Sequence, residues 1–273
     1  MIVFPNCKIN LGLNILRKRE DGFHDLETVF YPIPFTDALE AIADPAGNME
    51  TSFTASGLQV EGAAGDNLCV KAYQLLKKDL PRLPPVKVHL HKAIPMGAGL
   101  GGGSADAAFM LKLLNEKFKL NLSTSELLHY ALRLGSDCPF FIINKPCFAA
   151  GRGERLEEIA LDLSAYKIVL VNPGIHINTG WAFSQITPSL PQRSIREMIS
   201  QPVATWENDL KNDFEEAVFA AHPAVRSVKE DLYRQGALYA SMSGSGSTVF
   251  GIFNKNTPVT LYTGNDYFQK IIN

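Results

Sequence analysis

The chain has 273 residues, 46% of them hydrophobic and 20% charged. That composition excludes disorder and coiled coil and leaves room for two domains, each with its own core. With 26 basic against 28 acidic residues the net charge is −2, so no general attraction to nucleic acid or to an anionic membrane is expected, and an anionic ligand has to be held locally.

No apolar run approaches the roughly 20 residues of a membrane span, and the opening MIVFPNCKINLGL has no leader pattern. Cys7, Cys69, Cys138 and Cys147 lack metal-type spacing. A cytoplasmic protein with reduced, buried thiols is expected. In chain order, residues 3–16 and 27–43 mix alternation with apolar runs across Pro32 and Pro34, which predicts antiparallel strands joined by a long ordered loop from Leu16 to Asp25. Residues 44–65, rich in Gly, Ala, Ser and Thr, predict surface hairpins with a short strand from about Met49 to Phe53. Residues 66–80 carry an apolar helical face. Val86, Val88 and Leu90 then alternate with Lys87, His89 and His91, a strand with one wet face that runs straight into a cluster of glycines.

Beyond the glycines, Ala107, Met110 or Leu111, Leu114 and Phe118 recur at helical spacing, and Ser123 with Glu126 forms a capping box for a helix to about Leu134. Gly135 to Asp137 reads as a turn, with short buried strands at Phe140 to Ile143 and Cys147 to Ala150. The polar turn Gly151 to Glu154 suggests a boundary, giving an N-terminal domain over 1–155 and a C-terminal domain over 156–273. The second part predicts strands at Tyr166 to Asn172, Ala237 to Ser241 and Thr248 to Phe253, and helices at Trp206 to Ala221 and Ala224 to Gln235. The class is α+β.

The glycine cluster is the most specific signal. Five glycines lie between Gly97 and Gly103 and lead directly into a helix. Residues without Cβ let successive N–H groups turn toward one point, and the helix end adds unpaired N–H groups and the positive end of its dipole. The expected product is a phosphate cradle. A P-loop is excluded because Gly103 is followed by Ser104 and Ala105, with no Lys-Ser/Thr pair. The dinucleotide fingerprint fits Gly97, Gly99 and Gly102 formally, but the preceding strand has a wet face, Pro95 intervenes, and Asn121 stands where an acid belongs. A glycine turn used only for packing is the bland alternative, and it leaves the backbone entropy cost of five glycines unexplained.

The loop from Pro95 to Ser104 resembles the phosphate-binding motif of the GHMP kinases. Four more segments share the likeness: CKINLGLNI at the start, REDGFH at 19–24, GSDCPFF at 135–141 and SGSGSTVFG at 243–251. The resemblance implies a two-domain GHMP kinase fold, with an N-terminal domain like domain 2 of ribosomal protein S5 and a ferredoxin-like C-terminal domain. It implies ATP with Mg2+, and it assigns Asn67, Lys92, Pro95, Gly97, Gly99, Leu100, Gly101, Gly102, Gly103 and Ser104 to the nucleotide, with Ser104 and Lys92 as further contacts to phosphate or Mg2+. Asp137 is implied as the base that takes the proton of an alcohol acceptor, with Lys8 as its partner. Within the family the likeness favours a small-molecule substrate bearing a cytidine diphosphate group. Asn10, Asp137, Thr179 and Phe183 would meet it, and the Gly22-Phe23-His24 loop would supply a stacking ring from Phe23 and polar groups from His24. Gly180 departs from the family, which has proline there. Homoserine or mevalonate kinase activity, and a non-catalytic nucleotide- or RNA-binding protein on the same fold, are the competing expectations. No nucleic-acid or membrane partner is expected, and the assembly is a monomer or homodimer.

Overall fold

The computed structural model describes residues 1–44, 51–263 and 267–273. The elements run β1 (Ile2–Val3), β2 (Asn6–Lys18), β3 (His24–Thr36), β4 (Ala38–Ala43), β5 (Ser52–Gly57), α1 (Leu68–Asp79), β6 (Val86–Lys92), α2 (Gly102–Lys117), α3 (Thr124–Leu134) and α4 (Cys138–Ile143). They continue with β7 (Cys147–Gly151), β8 (Arg155–Glu158), β9 (Tyr166–Asn172), α5 (Thr179–Ser184), α6 (Ile195–Ile199), α7 (Trp206–Asp209), α8 (Glu215–Ala221), α9 (Pro223–Arg234), β10 (Tyr239–Met242), β11 (Val249–Asn254) and β12 (Phe268–Ile272). The chain forms two compact units: the first is Met1–Cys7, Pro34–Met96 and Gly101–Lys145, the second Lys8–Ile33, Gly97–Leu100 and Pro146–Asn273.

The first unit is built on a sheet of order β1-β4-β6-β5. β4 is antiparallel to β1 and β6, and β5 is parallel to β6. The alternation in β6 works as its sequence implies, since Val86, Val88, Leu90 and Lys92 are buried while Lys87, His89 and His91 face solvent. α2 is apolar over most of its circumference and correspondingly buried, from Ala105 through Leu114. α3 starts at the expected capping box, with Ser123 and Glu126 each accepting from the other's backbone N–H.

The second unit holds an antiparallel sheet of order β10-β11-β9-β12 and a sheet of order β2-β3-β7-β8. Its core gathers Leu13, Ile15, Val169, Val171, Phe214, Val218, Val225, Leu232 and Phe253. All four cysteines of the chain are free and buried. Burial pushes the Cys69 thiol up and that of Cys138 up to about 12, so neither is a reactive thiolate at neutral pH.

Four expectations need correction. The loop expected from Leu16 to Asp25 is a tight turn over Arg19–Phe23, because Arg17 and Arg19 both pair with Asp25 and extend the strands past the last apolar residue. Phe140 to Ile143 is part of helix α4 and not a strand; Pro139 in its first turn suits a helix start, and Asn144 ends it in the left-handed conformation. In the 44–65 segment, residues 45–50, including Met49, lie outside the described residues, and Ser52–Gly57 forms a parallel edge strand where a hairpin is expected. The helix expected over Trp206 to Ala221 is broken between α7 and α8.

That break has a clear cause. Lys211 O accepts from Leu13 N–H, Asp213 N–H donates to Leu13 O, and buried Asn212 donates through Nδ2 to both Met242 O and Gly244 O at 2.8 Å. Tertiary bonds outbid helical ones, which local periodicity does not register. Asn212→Ala takes the Nδ2 donor from Gly244 O and leaves Met242 O with the long bond from Ser241 Oγ, so a loss of about 2 kcal/mol is expected in urea unfolding.

Candidate active site

Within the second unit, three of the sequence segments meet. Lys8 and Asn10 lie on β2 and are almost wholly buried. Lys8 Nζ donates to Asn10 Oδ1 at 2.5 Å and to Gly99 O at 3.4 Å, and stands 5.0 Å from the centre of the Phe30 ring. The backbone of Lys8 donates to Leu100 O, which fixes the first half of the glycine loop alongside β2. Ser243, at the head of the Ser-Gly turn between β10 and β11, donates from Oγ to Gly99 O and accepts from Asn10 N–H. Thr248 N–H reaches Ala98 O.

The loop's backbone alternates. Gly97, Gly99 and Gly101 have φ of 63°, 78° and 69°, while Ala98 and Leu100 between them turn their side chains into the protein. At Gly99 a Cβ would stand 1.9 Å from Ser243 O, so no side chain fits.

Within the first unit, Gly101 caps α2 with left-handed geometry and its carbonyl accepts the first helical bond, from Ala105 N–H. The N–H groups of Gly102, Gly103 and Ser104 therefore precede the helical ladder and emerge at its positive end. Gly103 differs from the other glycines of the loop: like that of Gly102 its φ is not positive, but a Cβ there would meet nothing nearer than Leu68 at 3.9 Å. The Ser104 side chain bonds the thiol of Cys138, the residue next to Asp137, so Asp137 at the cap position of α4 is held near the start of α2. Asn67 caps α1 by accepting from Cys69 N–H at 2.9 Å.

Lys92 is 1% exposed and shares its ammonium between Asp37 Oδ2 at 2.5 Å and Asp106 Oδ2 at 2.7 Å. Burial opposes its charge, but the two carboxylates outweigh burial and raise its pKa. One ammonium cannot fully serve two carboxylates. Burial pushes Asp106 up to about 7, opposed by Lys92 and reinforced by Asp37. The sequence reading assigned Lys92 to phosphate and missed both of its acidic partners.

Also in the second unit, His24 and Phe183 are stacked on each other, with ring centres 4.8 Å apart and planes 15° apart. Phe23 is half exposed, with the Arg152 guanidinium 4.6 Å over its ring. Burial, with a smaller contribution from Lys18, lowers the His24 pKa below 6.5, so the ring is neutral at pH 7. Asn178 caps α5 by accepting from Trp181 N–H, which places Thr179 Oγ1 3.1 Å from Ser245 Oγ; Gly180 needs no proline to start this helix.

Comparison with known proteins agrees with this geometry. Residues 67–145 match the GHMP kinases N terminal domain, and residues 193–263 match the GHMP kinases C terminal domain. The chain belongs to the GHMP kinases, and its two-domain α+β fold is theirs. Over 260 residues it is 54% identical to the 4-diphosphocytidyl-2-C-methyl-D-erythritol kinase of Bacteroides fragilis, covering 95% of this chain and 94% of that one. The protein of the same name from Cytophaga hutchinsonii is 50% identical over all of this chain and 99% of its own length. A crystal structure of 4-(cytidine 5'-diphospho)-2C-methyl-D-erythritol kinase superposes with a TM-score of 0.76 at 30% identity, covering 92% of this chain and 90% of that one. Within the GHMP kinases, the chain falls in the family of these kinases.

The two kinds of glycine separate experimentally. Gly99→Ala should cost at least about 2 kcal/mol, because a clash with Ser243 O adds to a left-handed backbone. Gly103→Ala should leave the melting temperature unchanged or raise it slightly, because alanine suits a helix better.

Proposed function

We propose that this chain transfers the γ-phosphoryl group of ATP to the 2-hydroxyl of 4-diphosphocytidyl-2-C-methyl-D-erythritol, a step of the methylerythritol phosphate route to isoprenoids. The observation that carries the reading is the loop from Gly97 to Ser104 opening onto α2, since phosphoryl transfer asks a protein mainly for positioning and for charge stabilisation on the moving group. The N–H groups of Gly102, Gly103 and Ser104 hold phosphate oxygens, with dipoles oriented before reaction. Asp137 takes the acceptor's proton, a contribution of roughly 10²–10⁴-fold, and Lys8 favours the developing alkoxide. Of the nucleotide set the resemblance assigns, Asn67, Pro95, Gly97, Gly99, Leu100, Gly101, Gly102, Gly103 and Ser104 line the nucleotide, while Lys92 acts from beneath α2 through Asp37 and Asp106; the domain division is 1–155 and 156–273.

Mg2+ enters with ATP and, when bound, neutralises charge on the phosphates.

Specificity for the cytidine end rests on Phe23, His24 and Phe183, with Asn10 and Thr179 nearby in the second unit. A base stacking on Phe183 on the side now covered by His24 requires the imidazole to swing from the ring face to the base edge. The substrate is a small molecule, and no helix among the described residues is long and apolar enough to cross a membrane. The reaction takes place in the cytoplasm, and the protein works as a monomer or homodimer.

The direct test is ADP release with Mg-ATP, offering 4-diphosphocytidyl-2-C-methyl-D-erythritol, mevalonate and homoserine side by side. Turnover with the cytidine compound alone is expected; turnover with mevalonate or homoserine would overturn the substrate, and none with any would overturn the activity. Asp137→Asn should lose at least 100-fold in kcat while ATP affinity stays within about threefold. Because the His24 pKa is lowered, its neutral form prevails above pH 6.5 and is lost as pH falls through the lowered value. KM for the cytidine substrate should therefore be flat from pH 7 to 8.5 and rise as pH falls through that lowered value, and in His24→Ala it should be high and independent of pH.

A further inference from the structure

We propose that Asp37 is a positioning residue for the nucleotide, acting through the buried Asp37–Lys92–Asp106 cluster that ties both ends of the glycine loop. The inference rests on the reading that this loop binds the phosphates of ATP. Asp37 stands just before β4, far from the loop in sequence, and its own N–H is held by Pro5 O. Its carboxylate makes three contacts. Oδ1 accepts from Ala93 N–H at 2.6 Å and from Ile94 N–H at 2.8 Å, the two residues that lead into the loop. Oδ2 accepts from Lys92 Nζ, which in turn holds Asp106, on the second turn of α2, at the loop's exit. A Cβ at Gly102 would stand 3.0 Å from Lys92 Nζ and 2.9 Å from Ile94 Cγ2, so the first residue of α2 is seated directly on this cluster.

Entry and exit of the loop are thus held at one buried point. N–H groups that must aim at phosphate gain most when their direction is set before the ligand arrives. The carboxylates are not equivalent. Both oxygens of Asp37 are engaged, whereas Oδ1 of Asp106 is buried and has no partner. With Asp106 ionised, one ammonium faces two carboxylates and the cluster carries surplus negative charge behind a site for an anion. The surplus belongs to Asp106: its contact with Lys92 needs only an acceptor, which an amide supplies.

The test measures ATP affinity by equilibrium titration of the folded protein without the second substrate, then KM for each substrate and kcat, in Asp37→Asn, Asp37→Glu and Asp106→Asn. Asp37→Glu keeps the charge on Lys92 and moves the acceptor away from Ala93 and Ile94, and so remains informative if Asp37→Asn does not fold. The expected result is ATP affinity weakened at least tenfold in the folded Asp37 variants, KM for ATP rising in step, and KM for the cytidine substrate within twofold. Asp106→Asn should bind ATP at least as tightly as the unaltered protein. ATP affinity within twofold in a folded Asp37 variant, both KM values rising together, or Asp106→Asn weakened as much as Asp37→Asn would each overturn the proposal. Titration with ATP alone separates it from the activity: an unaltered protein that binds ATP and phosphorylates nothing sinks the proposed reaction only, and one that does not bind ATP sinks both.

Discussion

The second unit depends on one close approach, the α-carbon of Gly99 against the carbonyl of Ser243. Because no side chain stands between them, Gly99 O comes within reach of Ser243 Oγ and Lys8 Nζ together. Three segments, the outer two 233 residues apart from Asn10 to Ser243, are locked by that contact. Lys8 is buried there with Asn10, an aromatic face and a carbonyl beside its ammonium, so the fold fixes the direction of that charge. Asn212 supports the same turn from behind, at the cost of breaking a helix.

The first unit solves a related problem with charge. A helix that must leave its first N–H groups for a ligand cannot satisfy them internally, so its position has to be secured elsewhere. The Lys92 cluster does so from beneath α2, and desolvation makes the geometry strict: removing Lys92 leaves two buried carboxylates uncompensated, and removing Asp37 leaves the N–H groups of Ala93 and Ile94 without their acceptor.

Much of this was legible in the sequence where the signal is local. The alternation in β6, the capping box at Ser123, the helix after the glycines and the loop itself need only a few consecutive residues to express themselves. Lys8, Asn10 and Asp137 were legible only through resemblance, since a lysine in a strand or an aspartate before Cys-Pro carries no chemistry of its own. What was hidden is set by partners distant in sequence. Asp37 reads as an ordinary residue between strands until its oxygens are seen on Ala93 and Ile94, 56 and 57 residues away. Asn212 sits in a segment whose periodicity says helix, and only Leu13 and the Ser-Gly turn explain why it is not one. Phe140 to Ile143 failed for another reason: a short apolar run has no period to measure, and Pro139 was the better guide.

The glycines divide along the same line. Gly97, Gly99 and Gly101 are required by their left-handed backbone, and Gly102 by the side chains of Lys92 and Ile94. Each of these is explained by the protein's own atoms. Gly103 is not, because its backbone is helical and there is room for a methyl group. A residue that costs helix stability and is not required by its neighbours is accounted for by something outside the chain that approaches the backbone closely. Placed among the first N–H groups of α2, Gly103 is where the proposed phosphate would come closest, and of the five glycines it is the one whose reason would lie in the ligand and not in the fold.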